Sequence, residues 1–312
     1  MLHYRLIVKN QLKNLPRMKN KISFFSAVAA LFIFISCNNT STSTEGTATK
    51  DSATAAVNNT ADWKIGVQLW TFRLFTQSEA IAKADSAGVR YIEAFLGQPF
   101  DKTSKDTFGI SMSAAGRQKL KDVLKQHNIQ MVAMGVTTPN GKEEWIKTFE
   151  LAKDFGLSYI TSEPIKTQWD LADSLAGVYG IKIAIHDHPK PNAYWHPDSV
   201  LAAVKGHNNI GSCADLGHWA RNGLNLVDCL KKLEGHIYGV HLKDIVKFDK
   251  TDAADTIVGK GVIDFAPAFA ELNRQNFKGM FSIEHESNWE NNVPDVIETV
   301  KFYNDQVAKL KK

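Results

Sequence analysis

The chain has 312 residues, of which 44% are hydrophobic and 22% charged, the composition of an ordinary soluble globular protein. Its formal net charge of +4 is misleading, because residues 1–37 hold six basic residues (Arg5, Lys9, Lys13, Arg17, Lys19 and Lys21) and no acidic ones. Without those six the balance is 31 basic to 33 acidic residues, which gives no electrostatic reason to expect a nucleic-acid partner.

The first element is a stretch of 14 apolar and small residues, Ile22 to Ile35, preceded by Lys19 and Lys21. It is short for a bilayer span, which takes about 20 residues, and fits the apolar region of a secretory signal. Its end, Phe34-Ile35-Ser36-Cys37, resembles a bacterial lipobox, which implies lipidation of Cys37, and Met18 is the natural start of such a signal. No acidic residue follows Cys37 closely, so the expectation is a lipid-anchored protein of the bacterial cell envelope, facing the periplasm. Residues 38–61 are rich in Ser, Thr, Ala and Asn. They cannot bury enough apolar surface to offset chain entropy and are expected to form a flexible tether. Beyond it only Cys213 and Cys229 remain; without close spacing they read as two buried free thiols.

Residues 62–312 alternate short β-rich runs with amphipathic stretches. The strand candidates are Lys64–Leu69, Val89–Ala94, Gln130–Gly135, Tyr159–Glu163, Lys182–His186, Ile210–Asp215, Ile237–Leu242 and Gly279–Glu284. Most are near-continuous apolar runs, as parallel strands covered on both faces should be. Helical patterns lie between them at Ser78–Ala87, Ser113–His127, Lys142–Phe155, Gln168–Tyr179, Asp198–Lys205, Asn225–Leu233, Phe265–Gln275 and Pro294–Leu310. Gly88, Asn128, Gly156 and Gly180 stand where left-handed caps would end four of them. Eight β-then-α units in about 250 residues match an α/β fold of the (β/α)8 TIM-barrel type. A doubly wound open sheet would be expected to carry a glycine-rich phosphate turn after its first strand, and Gly66-Val67-Gln68-Leu69-Trp70 is not one.

Active residues of such barrels come from the C-terminal ends of strands. Here strand four ends in Glu163, strand five in His186-Asp187-His188, strand six in Asp215-Leu216-Gly217-His218, strand seven in His241-Leu242-Lys243-Asp244 and strand eight in Glu284-His285-Glu286. A lone acid at one strand end is usually a salt bridge or a solvated loop residue. Acids and histidines at five consecutive ends converge on one mouth, where unpaired carboxylates repel each other and a cation relieves them. An oxygen-rich donor set of this kind suits Mn²⁺, Mg²⁺ or Co²⁺ better than a thiolate zinc site, with Zn²⁺ also able to bind. His186 and His188 share a face of strand five, since side chains alternate, and are expected to meet substrate hydroxyls or a carbonyl oxygen.

From Trp63 onward the chain resembles the xylose-isomerase-like sugar isomerase/epimerase superfamily. The resemblance rests on the Glu163 strand end, Asp215-x-x-His218, Val240-His241-Leu242-Lys243-Asp244, Gly259-Lys260-Gly261 and Ser282-Ile283-Glu284. It implies one divalent ion, Mn²⁺ first, held by Glu163, Asp215, His241 and Glu284, with His218 contacting substrate from the loop that carries Asp215. It also implies a sugar or keto-sugar substrate and proton abstraction next to its carbonyl through an enediolate, with Glu163 or Glu284 as the base and His188, His218 or Lys243 as donors. Returning the proton gives a sugar isomerase or epimerase, the first expectation. Losing a β-substituent gives a lyase, dehydratase or hydratase on keto-sugars or keto-glycosides, and a non-catalytic sugar-binding lipoprotein is a third reading. A DNA-repair endonuclease of this fold would need further histidines on strands two and three and an Asp-x-His after strand seven; strand three and the segment after His241 lack theirs. Trp195, Arg221 and Glu93 are candidate substrate contacts, as are Trp70, Trp219 and Lys260 less specifically. His127, His207, His236 and His285 read as structural.

Overall fold

The computed structural model describes residues 60–311. The signal segment, Cys37 and the tether up to residue 59 lie outside the described residues. Eight parallel strands, Lys64–Gln68, Tyr91–Ala94, Gln130–Thr137, Tyr159–Ser162, Lys182–His186, Ile210–Asp215, Ile237–Leu242 and Met280–Ile283, form a closed barrel. Each pairs with its neighbours in sequence, and the first closes on the eighth. The eight expected strands are all present, with ends shifted by at most two residues. All six residues of the sixth strand are buried, which is why its sequence is a run rather than an alternation.

The helices start and stop where local chemistry directs. Thr76 and Glu79 form a reciprocal capping box on the helix Gln77–Ser86, and Ser113 caps Ala114–Gln126. The helix Trp169–Tyr179 ends at Gly180 in the left-handed region (φ 68°), and Asn128 takes the same conformation (φ 51°). Two features depart from expectation. The segment after Asp215, expected as a loop, is a short helix, Leu216–Arg221, with Asp215 as its N-cap. A small antiparallel pair, Asp244–Ile245 with Asp255–Thr256, follows the seventh strand.

Apolar side chains fill two layers. The larger lies between strands and helices, where Trp63, Phe269, Phe277, Phe281 and Tyr303 form a connected aromatic cluster. The smaller consists of Val132, Ala133, Tyr159, Ala184, Cys213 and Met280, one residue or more from strands three to six and eight. It plugs the barrel interior, as side-chain layers do in this fold. Cys213 and Cys229 are free and buried, and no helix among the described residues is long and apolar enough to cross a membrane.

The plug sets tight limits on the strand glycines. A Cβ at Gly239 would stand 2.5 Å from the Tyr159 hydroxyl oxygen and 2.9 Å from its ring. Gly239→Ala is therefore expected to destabilise the barrel by about 1–3 kcal/mol through overpacking, read as a lower denaturant midpoint. Tyr159→Leu in the same chain should recover part of the loss; an unchanged midpoint in the single variant would contradict the packing.

Candidate metal centre

Backbone register delivers the acids and imidazoles to one place. Asp215 ends the sixth strand opposite His241, and His241 lies opposite Ser282 on the eighth strand, two residues before Glu284. His241 Nδ1 is 3.1 Å from Glu284 Oε2 and 3.8 Å from Asp215 Oδ2. His186, last in the fifth strand, sits between them and Glu163: its Nε2 is 3.6 Å from Asp215 Oδ2 and 3.9 Å from Glu284 Oε2, and its Nδ1 is 3.7 Å from Glu163 Oε1. Three of the four ligand candidates thus meet directly, and Glu163 joins them across His186. Among the described residues His186, Asp215, His218 and Glu284 form a four-membered group whose donor atoms all lie within 4.8 Å of one another.

Charge explains this arrangement. Asp215 is fully buried and its Oδ2 has no hydrogen-bond partner, although it points at His186, His218, His241 and Lys243. An orphaned carboxylate oxygen among imidazoles is costly unless a cation meets it. In the protein alone His186 supplies one. Burial pulls its pKa down, but the carboxylates of Asp215 and Glu163 beside it outweigh that and push it up to about 9. Burial also opposes a charged His241, yet negative neighbours including Glu93 and Glu284 hold it well above the ordinary histidine value. Protons therefore occupy a site whose donors, carboxylate oxygens and imidazole nitrogens, fit a divalent ion such as Mn²⁺, Co²⁺, Mg²⁺ or Zn²⁺.

Around this centre the other candidates divide. His188 is bonded to Glu163 Oε1, with its side chain 42% exposed, while Asn192 Nδ2 donates to Glu163 Oε2 at 2.8 Å. Burial tends to raise the pKa of Glu163, but the nearby His186 imidazole and the bonds from His188 and Asn192 hold it well below the usual carboxylate range. Lys243 has no exposed surface and lies 2.5 Å from Glu286, 3.2 Å from Glu284, 3.8 Å from Asp255 and 3.9 Å from Asp215. Its stem runs along Gly217, where a Cβ would collide with it at 2.6 Å.

His218 is buried, and burial keeps its pKa well below the ordinary value. Arg221 donates to it at 3.0 Å and holds Ala253 and Asp255 as well. Glu93 sits elsewhere than a substrate contact would: it has no exposed surface and accepts from His241 Nε2 and Ser282 Oγ, both at 2.9 Å. Trp195 lies under Lys190 and against His196. Trp219 is core, and Lys260 is a surface partner of Glu298.

Gly259 and Gly261, with Ile245 and Ile263, donate backbone N–H groups to Asp244. That portion of the expected motif therefore folds a loop. His285 turns away from the centre to Asp295. Sequence reasoning missed Asn192, Asp255 and Arg73. Arg73 stacks on Trp289 and Trp70, and Trp70 donates to Glu286. Beside Glu163 a cleft of about 450 Å³ opens between Ile165, Trp169, Ala193 and Ala202.

Residues 81–306 match the xylose isomerase-like TIM barrel family, and the chain belongs to that family. Over 127 residues it is 35% identical to an inosose dehydratase of Clostridium botulinum, a match covering 36% of this chain and 43% of that one. The chain thus spans less than half the length of that curated relative. A solved, uncharacterized protein from Parabacteroides distasonis is 33% identical, with a TM-score of 0.65 over 78% of this chain and 99% of the other. A solved IolI protein with a bound zinc atom shares the fold at 20% identity, with a TM-score of 0.66 over 79% of this chain and 99% of that one.

If protons on His186 and His241 stand where a cation binds, metal uptake must release them. Calorimetric titration of Mn²⁺ or Zn²⁺ at about pH 7.5, in buffers of different ionisation enthalpy, should show net proton release. Because both histidines have raised pKa values, apparent affinity should climb as pH rises towards about 9 and weaken in acid. Uptake without proton release would place the ion elsewhere.

Proposed function

We propose that the chain is a divalent-metal-dependent enzyme that removes the proton beside the carbonyl of a keto-sugar or keto-cyclitol and expels water from the neighbouring carbon. The observation that carries this reading is the buried, unpartnered Asp215 Oδ2 within a ring of imidazoles, with Glu163 and Glu284 on opposite nitrogens of His186. Elimination is favoured over isomerisation by the 35% identity to an inosose dehydratase.

Glu163, Asp215, His241 and Glu284 would hold the ion, which supplies Lewis-acid polarisation of the substrate carbonyl. In this reading Glu163 takes the proton. It is the more exposed of the two glutamates, and its oxygen is not shared with Lys243. Its bonded partner His188 reaches solvent and returns the proton to the departing hydroxyl, so that water leaves and no charge accumulates. His218 and Lys243 donate to substrate oxygens. A second reading, isomerisation or epimerisation, draws on the two glutamates flanking His186: a proton taken by one could return to the other carbon or the other face.

NMR and mass spectrometry on metal-loaded protein with keto-cyclitols and keto-sugars in D₂O separate these readings. Dehydration should appear as loss of water, and Glu163→Gln should lower turnover by at least about 10²–10⁴-fold, the usual contribution of a general base. Deuterium entering an isomer without loss of water would favour the second reading. Full activity in Glu163→Gln and Glu284→Gln would end both.

We also propose that the protein is exported and anchored by a lipid on Cys37, on the strength of the apolar run ending in Phe34-Ile35-Ser36-Cys37. Cys37→Ser should move it from the membrane to the soluble fraction or leave the signal uncleaved. Unchanged processing and fractionation would refute anchoring.

A further inference from the structure

Four imidazoles crowd the mouth, and the fixed partners of two of them differ in kind. His218 Nδ1 lies 3.0 Å from Arg221 Nη1. A guanidinium has only donors, so Nδ1 must accept, and the proton of the neutral ring sits on Nε2. On His241 the relation is reversed. Its Nε2 is 2.9 Å from Glu93 Oε2, an oxygen that also accepts from Ser282. A carboxylate only accepts, so Nε2 of His241 carries the proton. Its Nδ1 faces Glu284 Oε2 and His186 Nε2, both at 3.1 Å, and Asp215 Oδ2 at 3.8 Å, and is the atom at which a cation would replace a proton.

We infer that Arg221 and Glu93 are positioning residues that sort these two histidines by the atom each turns to the centre: both keep a proton on Nε2, so that His241 presents Nδ1 to the cation while His218 presents its Nε2–H to a substrate oxygen. The inference rests on the proposed function for the cation and the substrate, but the proton on Nε2 of each ring follows from partner chemistry alone. It decides between two overlapping ligand sets. In the tight group of His186, Asp215, His218 and Glu284, His218 would have to ligate through Nε2. That requires the proton on Nδ1, pointing straight at an Arg221 N–H in a buried setting.

Neither partner can move aside easily. Arg221 is tied to Ala253 O by Nε and Nη2 at 3.1 and 2.8 Å and to Asp255 by Nη2. The backbone of His218 is held by Asp215 Oδ1 at 2.8 Å. Glu93 is completely enclosed. A positive fork behind one ring and a carboxylate behind the other therefore give neighbouring histidines opposite hydrogen-bonding faces.

The test is long-range ¹H–¹⁵N NMR of ¹⁵N-histidine protein, metal-free and loaded with Zn²⁺ alone. His218 should show the Nε2–H tautomer in both states, with neither nitrogen shifted by Zn²⁺. His241 should keep its Nε2 proton while its Nδ1 shifts on loading. Arg221→Met should mix the His218 tautomers and lower kcat while leaving Zn²⁺ affinity within about twofold. Arg221→Lys, which keeps one donor, should restore the tautomer and part of kcat. Glu93→Leu should weaken Zn²⁺ by about 10–100-fold, the usual loss when a ligand's outer partner is removed.

A proton on His218 Nδ1, a Zn²⁺ shift on either His218 nitrogen, or equal loss of Zn²⁺ affinity in His218→Asn and His241→Asn would overturn the sorting. Wild type that takes up no Zn²⁺ yet keeps a proton on Nε2 of both rings would overturn the proposed cation site and uphold the roles of Arg221 and Glu93 in fixing those protons.

Discussion

Burial of like charges at the barrel mouth is the constraint from which the rest of this structure follows. Glu93 and Asp215 have no exposed surface, and Glu284 has little. Two carboxylates 4 Å apart repel by about 4 kcal/mol even at an effective dielectric constant of 20, so the acids cannot stand together uncompensated. The chain meets them with cations that are buried or largely so: Lys243 among four carboxylates, the half-buried Arg221 on Asp255, and His186 between Glu163 and Asp215. Such a set holds together only as a whole, because removing one member leaves its partner charged and dry. The same property makes the mouth receptive to a divalent ion, which can take over the charge that protons otherwise supply.

The fold serves this balance with small devices. Asp215 belongs both to the sixth strand and to the helix Leu216–Arg221: its Oδ1 caps that helix at His218 N, leaving Oδ2 for the centre. The cap also starts the turn that brings His218 and Arg221 onto one side, three residues apart. Gly217 on the same turn leaves space for the Lys243 stem. Asp244 gathers four backbone N–H groups and so folds the segment after strand seven. The paired strand there brings Asp255 back to meet Arg221, Lys243 and the backbone of Glu286. Each device uses a short-range bond to place a long-range charge.

The barrel is legible in the sequence because parallel strands buried on both faces read as apolar runs, and the last five of them run into an acid or a histidine. The ligand candidates are legible for the same reason, since strand ends map directly onto the mouth. What is not legible depends on contacts between distant loops. Glu93 reads as a substrate contact because it lies near the end of strand two, yet its neighbour across the barrel is His241, a pairing 148 residues apart. The helix after Asp215 is too short for a periodic pattern, so the aspartate-x-x-histidine element reads as loop. Asn192 and Asp255 carry no local signal, because their roles arise only when the loops after strands five and seven fold inward. Trp219, a plausible stacking ring by sequence, is one of the largest side chains in the core.

The two glutamates are unequal in a way that bears on the chemistry. Glu284 is enclosed, and its Oε2 is shared between His241 and Lys243. A proton arriving there would disturb two charge pairs at once. Glu163 is bonded to His188, which reaches solvent, and to Asn192, which carries no charge. A proton on Glu163 therefore has a partner to receive it and a path outward, whereas one on Glu284 has neither. An isomerase that shuttles one proton between adjacent carbons benefits from a base sealed against exchange. An elimination must instead dispose of a proton and a hydroxyl together, which calls for a base coupled to a second, mobile proton carrier. The Glu163–His188 pair has that form, and the asymmetry across His186 is the feature that the proposed elimination would use.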